Sequence, residues 1–191
     1  MSRFMCVASI VVILLACSDP VVDDGFVWAN HGSCSPNTGN LSAARRDSLP
    51  AYPPGLPLNY DERFYRAAQH TPGGFAGLYL DDPVNGRQLT VLMFVDTTNA
   101  ASDLDSLALY YPGSHPSFAR DSMRLRRVRW NWVQLYDWYR YLWFLSDVPQ
   151  RLNFTDIQEV NNRVEFGAES EAARQMVLQR LYQLDVPCWL V

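Results

Sequence analysis

Few residues in this chain have types and spacings that could do chemistry. Four cysteines stand at positions 6, 17, 34 and 188, and three histidines at 31, 70 and 115. No two histidines sit three or four residues apart, so no helix presents a pair of them to a metal. The cysteines do not recur at the spacing of zinc ligands. Asp23-Asp24, Asp81-Asp82 and Asp103 with Asp105 are paired acids, but none carries the oxygen ladder of a calcium loop. To divide acid from base work such a pair needs burial that splits its two pKa values, and nothing around these residues predicts it. There is no Gly-x-Ser-x-Gly nucleophile elbow and no glycine-rich phosphate loop; Gly73-Gly74 reads as a break between a helix and a strand. We expect no catalytic residue, no metal and no cofactor, and read the chain as a non-enzyme.

The one position with a clear chemical assignment is Cys17. Arg3 supplies a positive start, and the apolar run from Phe4 to Leu15, about a dozen residues, is short for a transmembrane helix. It ends in Leu14-Leu15-Ala16-Cys17, which resembles the lipobox of bacterial lipoproteins. The resemblance implies a signal peptide over residues 1–16, cut before Cys17, with a palmitate-type acyl chain on that thiol. The chain would then sit in a bacterial cell envelope, on the membrane through its lipid. Ser18 points to an outer membrane, facing the periplasm, in a cell that has one. An ordinary secretory signal with a chance cysteine is the other reading. In an oxidising compartment, Cys34 and Cys188 are then a candidate disulfide that staples the N-terminal segment to the C-terminus; two unrelated thiols are the alternative.

Net charge is −4 and all sixteen cations are arginine. There is no basic excess for nucleic acid. Arg124, Arg126, Arg127 and Arg129 alternate along one stretch, which fits either a solvated strand face or a grip on an acidic partner.

The elements that would position these residues fall into a repeated order. Residues 17–72 read as a tether and irregular N-terminal segment with a short helix at 60–69, capped by Asn59. The domain proper is 73–191. In unit one, 75–130, a strand (Phe75–Asp81), an Asn85-Gly86 hairpin turn, an apolar strand (Gln88–Val95), a helix (Ala100–Leu109) and a strand (Met123–Trp130) succeed one another. A switch in apolar parity predicts a bulge near Arg126-Arg127. In unit two, 152–191, the order repeats: a strand (Asn153–Val160), an Asn161-Asn162 turn, and a strand (Arg163–Gly167). A helix (Ser170–Leu184) and a last strand (Val186–Val191) follow. Ala173, Met176, Val177, Leu181 and Leu184 form the inward stripe of that helix.

Between the units, residues 131–147 predict a linking helix with two apolar stripes. One runs Leu135, Trp138, Leu142 and Leu145, and the other Trp132, Tyr136, Tyr139 and Trp143. Two stripes mean either deep burial between the units or an exposed aromatic patch. On the second reading Trp132, Trp138, Tyr139 and Trp143 are candidate partner-binding residues, since Trp and Tyr dominate interaction hot spots.

Short motifs carry a further resemblance. They are Gly86-Arg87-Gln88-Leu89-Thr90-Val91 with Asp96, the Arg124–Arg129 stretch, the Leu135 helix, and Phe154-Thr155-Asp156 with Asn161-Asn162-Arg163-Val164-Glu165-Phe166. Over residues 75–191 these are similar to the pro-region of alpha-lytic and streptogrisin-type secreted serine proteases, without the protease domain. The resemblance implies tight binding of a secreted protease, as an inhibitor or chaperone acting in trans. The expected fold class is α+β, with two ββαβ-like units, mostly antiparallel sheets and an aromatic-rich joining helix. The expected function is a membrane-tethered, protein-binding envelope module; a structural or envelope-assembly lipoprotein is the alternative.

Overall fold

The structure, a computed structural model, describes residues 39–84, 86–110, 123–144 and 147–191. Cys6, Cys17, Cys34, His31, His115 and Leu145 lie outside them. The fold is α+β with mostly antiparallel strand pairing.

Helix α1, Ala43–Asp47, begins at Ser42, whose hydroxyl accepts from Arg45 N. Helix α2, Tyr60–Gln69, is capped by Asn59, which accepts from Glu62 N, and two acids in its first turn complement the positive helix end. Strands β1, Phe75–Val84, and β2, Arg87–Phe94, form an antiparallel hairpin. Val84 pairs with Arg87, and Gly86 between them takes φ +76°, the left-handed conformation that a tight hairpin turn needs. Helix α3, Ala100–Tyr110, then crosses over to β3, Met123–Arg127, which joins β2 in parallel. Both faces of β2 are sealed. Leu92 and Phe94 enter the main core, and Val91 and Met93 enter a smaller cluster with Ala76 and Val128.

Helix α4, Trp132–Phe144, follows, then a 3₁₀ turn at Val148–Arg151. Unit two holds the hairpin β4, Leu152–Gln158, and β5, Arg163–Ala168, and helix α5, Glu171–Gln183, capped by Ser170. The inward side of α5 is Ala173, Val177, Leu178 and Leu181; Met176, expected on that stripe, is exposed.

Both units share one core. A single buried cluster runs from Leu41 through Phe64, Phe75 and Phe94, along α4, to Val164, Leu181 and Leu190. Aromatic edges hold its middle: Phe64 meets Trp132 at 4.8 Å and Phe75 at 5.1 Å, and Phe75 meets Phe94 at 5.8 Å. Such edge-to-face pairs satisfy the ring quadrupoles, so the aromatic richness of α4 is largely core packing.

Two expected strands end differently. β3 stops at Arg127 instead of running to Trp130. The backbone there turns to the second hairpin, where Asn162 Oδ1 accepts from Arg129 N (3.0 Å) and Trp130 N (2.8 Å), and Asn162 Nδ2 donates to Trp130 O (2.8 Å). One side-chain amide does the work of a short strand pairing. Asn162 sits at φ 52°, which asparagine tolerates better than other non-glycine residues. The expected strand Val186–Val191 does not form. Pro187 has no N–H to give, and Trp189 takes φ 69°, so the chain cannot stay extended. Its main hold on β5 is Val164 N donating to Leu190 O at 2.7 Å.

Candidate functional site

The proposed partner-binding set on α4 does not form one surface. Trp132 and Trp138 are 0% and 1% exposed, so a partner-binding role for these two is corrected to a core role. Their indole N–H groups are also used internally: Trp132 donates to Asp61 O (3.1 Å) and Trp138 to Gly39 O (2.9 Å). Tyr139 is half-buried, and Trp143, with 38% of its area exposed, stands at the helix end beside the exposed Phe144. The arginine run is not an open grip either. Arg126 donates to Val160 O (2.7 Å), Arg127 to Val95 O (3.2 Å), and Arg129 lies 4.9 Å from the Trp189 ring.

A concave apolar surface lies instead in unit two. A groove of about 640 Å³ opens between the β4–β5 hairpin and α5. Leu152, Phe154, Val164 and Phe166 line it from the hairpin, and Val177, Leu178 and Leu181 from the helix. It exists because unit two has no full third strand. Phe154 is 54% exposed, and its ring lies over Gly167, where any Cβ would fall 2.1 Å from the ring. Any larger residue there would displace the Phe154 ring from this position.

Two ion pairs rim the groove. Arg163 Nε meets Glu165 Oε1 at 3.3 Å, and Asn161 Nδ2 donates to the same oxygen at 3.1 Å. On α5, Arg174 grips Glu171 with two bonds of 2.7 Å, and Gln175 adds a third at 2.8 Å. The Arg174 and Gln175 hydrogen bonds hold the Glu171 carboxyl down at about 2, so it stays charged at any physiological pH. Chemically, the groove can bind an apolar segment between fixed charges of both signs. Its lining holds no thiol or imidazole, and its one hydroxyl, Ser170, is taken up capping α5 through Ala173 N.

A second cluster lies between α2, α4 and the second hairpin. Burial raises the carboxyls of Asp61 and Glu159, and the charge of Asp156 nearby adds to both shifts. Burial pushes the Tyr136 phenol up to about 12 and also raises Tyr139, which feels Asp61 and Asp156. Among the described residues no group of three or more His, Cys, Asp or Glu is placed to hold a metal. His70 lies at the C-terminal cap of α2. Asp103 is fully buried and accepts from Gly73 N at 2.8 Å.

The described residues 39–59, expected to be irregular tether, include a docked strap that carries α1. Arg46 Nε donates to Asp137 Oδ2 at 2.6 Å, and Tyr65 OH donates to the other oxygen at 3.0 Å. Cys188 is half-buried; all other cysteines lie outside the described residues. Among the described residues no helix is long and apolar enough to cross a membrane.

Sequence reasoning missed the groove, the strap and the Asn162 clasp. Arg45-Arg46 after Ser42 signals a capped turn, but not what it docks on. No family model, curated protein or solved structure matches the chain.

Proposed function

We propose that the chain is a non-enzymatic, envelope-tethered binding module whose partner-facing surface is the groove of unit two. The partner is an extended, apolar segment of a secreted protein, flanked by charges. The observation that carries this reading is the groove itself: about 640 Å³ of concave, largely apolar surface between the second hairpin and α5. The Arg163–Glu165 and Arg174–Glu171 pairs would fix the register of such a segment by meeting charges of opposite sign. The lipobox-like Cys17 supports the tether, and a Cys34–Cys188 disulfide would close the N-terminal strap onto the C-terminus. The strap side supports that pairing: both Gly39 and Trp189 pack against Trp130, whose indole donates to Trp189 O at 3.0 Å. Four residues separate Cys34 from Gly39, a reach of at most about 18 Å for an extended chain.

The motif likeness to protease pro-regions makes a streptogrisin-type serine protease the first partner to test. The full chain in detergent micelles should bind an immobilised protease of that type, and Glu165→Arg, which reverses one rim charge, should weaken binding at least tenfold. Equal binding by Glu165→Arg and wild type would remove the groove from the reading. No binding at all would remove the protease as partner and favour the structural-lipoprotein alternative.

A further inference from the structure

Beneath the strap lies a surface built for two adjacent arginines. Arg46 places its guanidinium on Asp137, a carboxylate with no solvent exposure, whose second oxygen is held by Tyr65. Arg45 donates to Leu184 O at 2.6 Å, and its guanidinium lies 5.1 Å from the Tyr141 ring and 5.8 Å from the Trp138 ring. Just upstream, Trp138 Nε1 takes the Gly39 carbonyl and Leu41 enters the core.

Beyond these, the strap adds Leu49, packed against the core, and accepts from Gln134 through Asn40 Oδ1 (3.2 Å) and from Arg140 through Pro50 O. Helix α1 has no buried residue of its own. The link to α2, residues 50–59, is mostly exposed and holds prolines at 50, 53, 54 and 57. A buried carboxylate such as Asp137 is costly without a cation, so the site demands one. Its planar stacking and its fixed acceptors favour guanidinium over ammonium.

We propose that the α4 face beneath the strap is a recognition site for an arginine pair, filled in cis by Arg45-Arg46 and able to take the same segment of a second copy in trans. A strap on an exposed linker re-forms identical contacts in a partner chain, which makes exchange a low-cost route to association.

The probe is a fluorescent peptide spanning residues 39–48, titrated into the full chain in micelles. Wild type, whose site is filled in cis, should bind it at least tenfold more weakly than a chain carrying Arg45→Ala and Arg46→Ala. A peptide with both arginines replaced by lysine should bind that variant at least tenfold more weakly than the arginine peptide. Equal affinity for the two peptides, or no binding to a variant that circular dichroism shows folded, would overturn the proposal. If the double variant fails to fold, wild type cut within residues 53–56 replaces it. Reduced, cut chain should exchange its strap for the peptide, and retention of its own strap against excess peptide would overturn the proposal equally.

Discussion

Units one and two have nearly the same order of elements and end differently. In unit one the crossover helix returns a third strand, β3, to lie parallel beside β2, and β2 becomes buried on both faces. In unit two the chain after α5 meets Asp185 at φ 61°, Pro187 and Trp189 at φ 69°, and no third strand forms. The hairpin and helix of unit two therefore keep a groove between them. A third strand closes one copy of the unit, and a proline with two left-handed residues leaves the other open. On the proposed function, unit one is then scaffold, and unit two is the surface that would meet partners.

The largest expected effect tests the scaffold. Trp132→Ala should cost about 4 kcal/mol in denaturant unfolding, because it empties a fully buried site and orphans Asp61 O. A cost below about 1 kcal/mol would mean that α4 does not hold the two units in one core. Asn162→Ala should cost about 2–3 kcal/mol, since it leaves the N–H groups of Arg129 and Trp130 without their acceptor. The loss should show first as faster amide exchange at Arg129 and Trp130.

Acidification should sharpen the comparison. The Asp61 and Glu159 carboxyls are raised in the folded state, by burial and by the nearby Asp156 charge. The stability they lend is present below the ordinary carboxylate range and is lost as pH rises through their raised values. The urea midpoint should thus rise from neutral pH down to the ordinary carboxylate range, and Asp61→Asn with Glu159→Gln should flatten that rise. Below it the sign reverses, as Asp96, Asp147 and Glu171, all held low by hydrogen bonds, become protonated. The smallest effect is Trp143→Ala, within about 0.5 kcal/mol of wild type; a larger loss would place that indole in the core with Trp138.

The element order was legible because periodicity and turn chemistry are local. Asn59 and Ser170 cap the helices they precede, and the Asn85-Gly86 signal marks the first hairpin. What was not legible depends on distant contacts. The two aromatic stripes of α4 look alike in sequence, and only packing, of Trp132 against Phe64 and of Trp138 against the strap, separates these buried indoles from surface Trp143. Val186–Val191 reads as a strand by composition, but Pro187 and the turn at Trp189 override it. Asn162 reads as a turn residue, which it is, while its clasp on Trp130 spans 32 residues of sequence. The groove is a consequence of the missing strand and has no sequence signal of its own.

The most direct test places a photo-reactive phenylalanine analogue at position 154, in the groove, or at position 125, on the exposed edge of unit one, in the full chain expressed in a bacterial envelope. The account predicts a discrete cross-linked partner from position 154 and none from position 125. Cross-links from position 125 alone, or the same partner from both positions, would contradict it.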